Sequence, residues 1–242
     1  MKQVTYTISE NTLLAPNIYR MGLLGDTSPI TAPGQFISIA LEGLYLRRPI
    51  SVCDWNDRGL AVIYKVVGRG TARMAQMRPG QTLDALSGLG NGFDVAACPK
   101  DPVLVGGGVG VPPLYGLAKA LLAAGRRPSA ILGFNRAEEI FSDMELAALG
   151  IPVTVTTVDG SAGIRGFVTD ALRSGSYVCA CGPKPMLRAV YDRCAGGQFS
   201  FEARMGCGFG ACMGCTCQTT GGPKRLCKEG PILAREEIVW EK

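Results

Sequence analysis

Apolar and polar residues alternate along the first part of the chain. Val4, Tyr6 and Ile8 form one such series, and Leu60, Val62, Tyr64 and Val66 form another. A period of two predicts half-buried strands. Gly-Asp, Pro-Gly and Asp-Arg-Gly turns separate the runs, and several short strands so spaced predict a small antiparallel β-barrel over residues 1–98. Around Pro99–Pro102 the pattern changes. A continuous apolar strand, Pro102–Val105, leads into Gly106-Gly107-Gly108-Val109-Gly110 and an apolar helix reaching Ala124. Further strands are expected near Ala130–Phe134, Val153–Val158 and Tyr177–Cys181. Helices are expected over about Ala137–Leu149, Val168–Arg173 and Pro185–Cys194. This alternation predicts a parallel sheet with right-handed crossovers over 99–196. From Gly196 the regularity ends, and residues 197–242 read as a small Gly/Cys-rich unit without an internal repeat. The fold class is mixed β and α/β.

With 47% hydrophobic and 19% charged residues in 242, the chain can bury a core. Its net charge of +5 is dispersed and too small for a dedicated nucleic-acid binder. There is no histidine. That excludes His acid/base chemistry, Ser-His triads, His zinc sites and Rieske clusters. The opening MKQVTYTISENT lacks an apolar targeting core, and no run approaches the ~20 apolar residues of a membrane span. A cytoplasmic location without membrane contact is the expectation. Five of the ten cysteines fall between 207 and 227, and clustered thiols in a reducing compartment point to metal ligation.

Cys207-x4-Cys212-x2-Cys215, with Cys227 eleven residues on, has the spacing of a plant-type [2Fe–2S] site. Two irons need four thiolates. A tight loop can supply three, its turns eased by Gly206, Gly208, Gly210 and Gly214, while a returning segment supplies the fourth. Arg204, Lys224, Arg225 and Lys228 are placed to offset the cluster's negative charge. Structural zinc also takes four cysteines and remains open, although it favours two CxxC knuckles and only Cys212/Cys215 forms one. Cys217 is a spare, and Cys53, Cys98, Cys179 and Cys194 read as small buried hydrophobes.

The glycine loop between a strand and a helix allows backbone to approach a phosphate at the helix N-terminus, with Pro112 or Pro113 suited to the first turn. It is not a full GxGxxG with a ribose-binding acid, and by itself fits a merely tight turn equally well. Arg136, after the second parallel strand, is either a reader of a 2′-phosphate or a solvent-facing helix-entry residue.

Taken with Arg48-Pro49-Ile50-Ser51, Ile63-Tyr64-Lys65, Gly68-Arg69-Gly70-Thr71 and Cys181-Gly182-Pro183, the chain resembles the ferredoxin–NADP reductase superfamily. The resemblance implies an FAD-binding barrel followed by a domain for the pyridine nucleotide. It places Arg48 at the FAD pyrophosphate and Ser51 near the flavin N5, with Ile50 where the family's tyrosine stands. Ile63, Tyr64, Lys65, Gly70 and Thr71 would line FAD, and Gly182 and Pro183, with Cys181 against them, would shape the nicotinamide pocket. Glu202-x-Arg-Met-x-Cys-Gly208 and Cys227-x-x-Gly-Pro231 narrow the match. From end to end the chain is similar to the electron-transfer subunits of class 1B dihydroorotate dehydrogenases. That similarity implies electron transfer between an FMN-containing catalytic subunit and NAD, through [2Fe–2S] (Cys207, Cys212, Cys215, Cys227) and FAD, in pyrimidine biosynthesis. It also implies a heterotetramer of two such pairs. Two other readings remain, a related NAD(P)H–ferredoxin or hydrogenase-linked reductase subunit and a zinc-bound interaction module.

Overall fold

A computed structural model describes residues 1–240. Six strands, β1 (Lys2–Ala15), β2 (Ile18–Leu24), β3 (Phe36–Leu41), β4 (Leu44–Asn56), β5 (Gly59–Lys65) and β6 (Thr82–Leu89), close a barrel in the order β1-β2-β5-β4-β3-β6. All barrel pairings are antiparallel. The alternating residues fill it. Tyr6, Ile8, Met21, Ile39, Val62 and Tyr64 are each at most 2% exposed. Tyr6 brings a hydroxyl into this core, and it is satisfied by donating to Asp26 O at 3.0 Å, with Ser87 Oγ at 2.9 Å. A helix, α1 (Arg69–Gln76), spans the connection from β5 to β6.

The second layer system contains β7 (Val103–Gly107), α2 (Pro112–Ala123), β8 (Ser129–Phe134), α3 (Asp143–Ala148), β9 (Val153–Thr157), β10 (Ile164–Arg165), α4 (Val168–Ala171), β11 (Tyr177–Cys181), α5 (Lys184–Arg193) and β12 (Gly196–Ser200). After it come the hairpin β13 (Thr216–Thr219)/β14 (Gly222–Arg225) and β15 (Ile232–Ala234). The large sheet runs β10-β9-β8-β7-β11-β12-β15 and is parallel except for the last pair.

Three details depart from the expected pattern. The helix expected over Ala137–Leu149 is a 3-10 turn at Ala137–Glu139 followed by the short α3. Ser142, left-handed at φ 62°, breaks it, and Phe141 turns inward to meet Phe134 edge-on at 5.6 Å. The helix at Val168 shrinks to one turn. Regular structure does not stop at Gly196, because β12 pairs with β11 and β15 returns to cover it.

Barrel and sheet share a core. Ile18, Cys53 and Ile63 pack with Leu104, Leu114 and Leu117. At Gly116 a Cβ would stand 2.8 Å from Cys53 O, so α2 lies directly on the β4 backbone. Asn91 joins barrel to tail. Its side chain donates to Glu229 O and Ile232 O (3.1 and 2.8 Å) and accepts from Ile232 N–H at 3.1 Å.

Candidate nucleotide cleft and thiol loop

A cavity of about 600 Å³ lies between the barrel edge and the carboxyl ends of the parallel strands, where open α/β sheets bind ligands. Ile18 and Lys65 form its barrel wall, and Gly107 and Gly108 its floor. Pro183 is on the rim with Met186, and Glu202 projects from the end of β12. Sequence reasoning missed Asn135, Glu139, Thr156, Phe167, Met186 and Glu202 as wall residues. They come from strand β9, helix α5, the 3-10 turn and the segments after β8, β10 and β12, and no sequence signal joins them. Glu202 opens onto the cavity and is exposed to solvent, and partial desolvation of its carboxyl raises its pKa.

The two glycine-containing loops meet. A Cβ on Gly110 would stand 2.1 Å from Cys181 O and 2.6 Å from Gly182 N, and one on Gly107 would stand 2.5 Å from Met186 Sδ. Gly106 backs onto Val111 and Leu114. Gly108 instead has open space around it and φ +52°, leaving its main chain accessible from the cavity. Pro112 and Pro113 open α2, as the pattern predicts. Cys181 is only 4% exposed, its thiol in the shared core with a pKa pushed to about 12 by burial. Of the three predicted residues of this turn, Pro183 borders the cavity, whereas Cys181 and Gly182 are buried behind it.

Arg48, Pro49, Ile50 and Ser51 lie on β4, and Ile63, Tyr64 and Lys65 on its neighbour β5. Arg48 lies flat over the first turn of α1, where a Cβ on Gly70 would come within 2.1 Å of its Nε. Its guanidinium reaches the carbonyls of Leu46 and Arg47, and among the described residues it pairs with no carboxylate. Thr71 shapes the loop before α1, its Oγ1 accepting from Val67 N–H and Gly68 N–H (2.9 and 3.3 Å). Strand alternation separates the β5 side chains. Lys65 reaches the cavity and Ile63 the shared core, whereas Tyr64 points into the barrel, stacks on Tyr19 and donates to Asn11 Oδ1 at 3.0 Å. Any part Tyr64 plays toward a ligand falls to its main chain.

The four tail cysteines stand as two pairs. Cys207 Sγ accepts from Ala211 N–H and Cys212 N–H (3.2 and 3.4 Å), and Cys212 Sγ accepts from Cys207 N–H at 3.5 Å. Cys215 Sγ accepts from Cys227 N–H at 3.4 Å, and both of these thiols are buried. Partial burial of Cys207 acts to raise its pKa. The surrounding Cys212, Phe209 and Ala211 N–H groups outweigh it and bring the thiol down to about 6. Such N–H groups suit a sulfur carrying negative charge, which is what a cluster ligand is. Among the described residues no group of three or more His, Cys, Asp or Glu side chains converges as a single metal ion needs. Cys217 is half-buried and packs against the same apolar cluster as Cys215 and Cys227. The basic residues are less free than the sequence suggests, since Lys224 pairs with Glu237 and Arg225 with Glu229.

The thiol loop and the β4 motif are close. A Cβ on Gly208 would lie 3.4 Å from Ser38 Oγ, and Ser38 is the cross-strand partner of Pro49.

A barrel, a parallel sheet and a cysteine-bearing tail in this order define a reductase of the ferredoxin–NADP reductase fold with an appended iron–sulfur segment. The NADH-dependent reduced ferredoxin–NADP oxidoreductase superposes with a TM-score of 0.87 at 29% identity, over 97% of this chain and 90% of that one. The Neisseria gonorrhoeae ferredoxin NADP+ reductase with bound FAD and NADP shares the fold at TM-score 0.67 and 19% identity, over 80% and 92% of the two chains. Residues 202–239 match the iron–sulfur cluster binding domain of dihydroorotate dehydrogenase B, which answers the choice between iron–sulfur and zinc. The dihydroorotate dehydrogenase B (NAD(+)) electron transfer subunit of Geobacillus sp. (strain WCH70) is 41% identical over 99% of both chains. That of Fusobacterium nucleatum is 38% identical over the whole of both. The chain belongs to this family of electron transfer subunits, and is an oxidoreductase component. Among the described residues no helix is long and apolar enough to cross a membrane.

Proposed function

We propose that this chain carries electrons between a catalytic dihydroorotate dehydrogenase subunit and NAD, holding FAD and a [2Fe–2S] cluster, in the cytoplasm and in a heterotetramer of two such pairs. The observation that carries the reading is the approach of the thiol loop to the β4 motif through Ser38. It supports two redox groups held side by side, with the barrel (1–98), the sheet (99–196) and the tail (197–242) each serving one ligand. When bound, the flavin would take electrons singly from the cluster and would deliver them to NAD as a hydride.

The residues present fit these groups. Arg48 and Lys65, neither paired with a carboxylate among the described residues, are cations placed to take FAD phosphates by charge-assisted hydrogen bonds. Gly70 lets Arg48 lie against the start of α1, whose N–H groups favour the same charge, and Thr71 fixes the loop before it. Ile50 and Ser51 continue that wall toward the flavin ring, beside the Ile63–Tyr64 backbone. Gly107 and Gly108 would bring main chain to the NAD pyrophosphate, with Gly106 and Gly110 allowing the close packing behind them, while Cys181, Gly182 and Pro183 form the turn that would support the nicotinamide. Cys207 with Cys212, and Cys215 with Cys227, would each clasp one iron. Around Arg136 the charge balance favours NAD over NADP. Glu138 lies 3.8 Å from its guanidinium, and Asp159, already held ionised by Ser161, faces it too. An added 2′-phosphate meets net negative charge there.

Anaerobically purified protein should show flavin and iron–sulfur absorbance, about one FAD and two irons per chain, and faster reduction by NADH than by NADPH. Mixed with the catalytic subunit it should co-elute and link dihydroorotate oxidation to NAD reduction. A colourless protein, or one whose flavin NADPH reduces tenfold faster, refutes the reading.

A further inference from the structure

Cys98 and Cys179 belong to neither the cleft nor the thiol loop. Cys98 ends the segment leaving the barrel, and Cys179 sits in the middle of β11, two residues before the turn at the cleft. Both are nearly inaccessible, at 3% and 0%, yet their Sγ atoms are 3.7 Å apart. The surroundings treat the two sulfurs differently. Gln198 Nε2, which donates to Asp94 O and to Tyr177 Oη at 3.1 Å, also lies 3.5 Å from Cys98 Sγ, and the Cys179 thiol faces the same sulfur. Cys98 Sγ is also within reach of Asp94 O at 3.4 Å, and the hydrogen bond with Cys179 lowers the Cys98 pKa against the opposing effect of burial. Cys179, giving that bond in a buried position, stays protonated. Gln198 is itself fixed, accepting from Asp94 N–H at 2.7 Å and donating to Asp94 O at 2.8 Å. A polar cavity of about 370 Å³ lies directly over this side chain, walled by Asp94, Ala97, Tyr177 and Glu236. It gives a small polar oxidant a route to within one side chain of the sulfurs.

We propose that Cys98 and Cys179 are a modification site, a dithiol that hydroperoxides convert to an intramolecular disulfide. The Cys98 thiolate attacks a peroxide oxygen, the O–O bond breaks, and water leaves with the thiol proton, giving the sulfenic acid. The Cys179 sulfur then attacks Cys98 sulfur, the S–S bond forms, the S–O bond breaks, and a second water leaves. The two thiols lose two electrons and hydrogen peroxide becomes two waters. Closing the sulfurs to about 2.05 Å draws the barrel-to-sheet linker onto the strand that ends at the cleft.

The test treats the holoprotein with graded hydrogen peroxide, stops with catalase, alkylates free thiols in denaturant and maps peptides without reductant. Met144, 80% exposed, reports the dose through its sulfoxide. The expected result is a Cys98–Cys179 cross-linked peptide, two hydrogens lighter than the separate pair, that appears while cluster absorbance is intact and disappears with dithiothreitol. Cys98→Ala and Cys179→Ala should each abolish it and leave the other thiol alkylated or as sulfenic acid. The wild-type map decides alone if a variant fails to fold. Recovery of both cysteines alkylated once Met144 is fully oxidised, oxidation of Cys98 to sulfinic acid without the link, or a link that forms only after the cluster has bleached overturns the proposal.

Discussion

Replacing Gly110 by alanine puts a methyl group where the two loops of the nucleotide cleft touch. That carbon would stand 2.1 Å from Cys181 O and 2.6 Å from Gly182 N, against 3.4 Å or more for ordinary contact. Both obstacles are backbone, held by β7 and β11, which pair in register from Val103/Val178 to Gly106/Cys181. Neither loop can swing aside like a side chain, so they must part by more than an ångström. Overpacking of this kind costs about 1–3 kcal/mol, a fall of roughly 2–12 °C in Tm at ~2–4 °C per kcal/mol for a chain of this size. The effect on function is larger in proportion, because a displacement of about 1 Å at a positioning element can cost on the order of 100-fold in rate. Stopped-flow reduction of the flavin by NADH, compared with reduction by dithionite, isolates the nucleotide step. The expected outcome is slow NADH reduction with dithionite reduction and FAD content unchanged. NADH reduction within twofold of wild type would show that the contact between the loops does not position the nucleotide.

Arg48→Gln removes the uncompensated cation over α1, and loss of a charge-assisted hydrogen bond of about 1.5–3 kcal/mol predicts roughly 10- to 150-fold weaker FAD binding by fluorescence titration. Cys207→Ser, Cys212→Ser, Cys215→Ser and Cys227→Ser should each lose iron and cluster absorbance, whereas Cys217→Ser should keep both, as read by iron analysis and the visible spectrum. Glu202 has a folded pKa above its unfolded value, so its contribution is full at acid pH and is lost as pH rises through the folded pKa. Glu202→Gln should accordingly match wild type near pH 4 and melt slightly higher at pH 8, as read by thermal unfolding at the two pH values.

The barrel was legible where its strands alternate, as in β1, whose Val4, Tyr6 and Ile8 do point inward, whereas β3 is buried along nearly its whole length. The cysteine spacing was legible because ligand geometry fixes it locally. What escaped depends on distant chain. Gly196-Gly197-Gln198-Phe199-Ser200 carries two glycines and one large apolar residue, so only pairing with β11 on one side and β15 on the other makes it a strand. Residues 137–149 have helical periodicity, but burial of Phe141 against Phe134 outweighs it and turns the chain at Ser142. The face of β5 that each side chain takes was not assigned, and Tyr64 lies on the barrel side. Cleft residues such as Glu202, past the end of β12, and Met186, in α5, come from separate elements and carry no shared local motif.

The last strand of the large sheet has a consequence for how this chain can be made or cut. β12 stays an open edge until β15 arrives, and the whole thiol-bearing stretch intervenes between them. On a ribosome the sheet therefore finishes only after all four iron ligands have emerged. A product ending at Ser200 would keep every element of the nucleotide half yet expose a bare row of amides and carbonyls along Gln198–Ser200, a template for aggregation. The iron-binding tail is thus not a detachable module, because the chain that leaves the sheet to form it must come back to seal the edge.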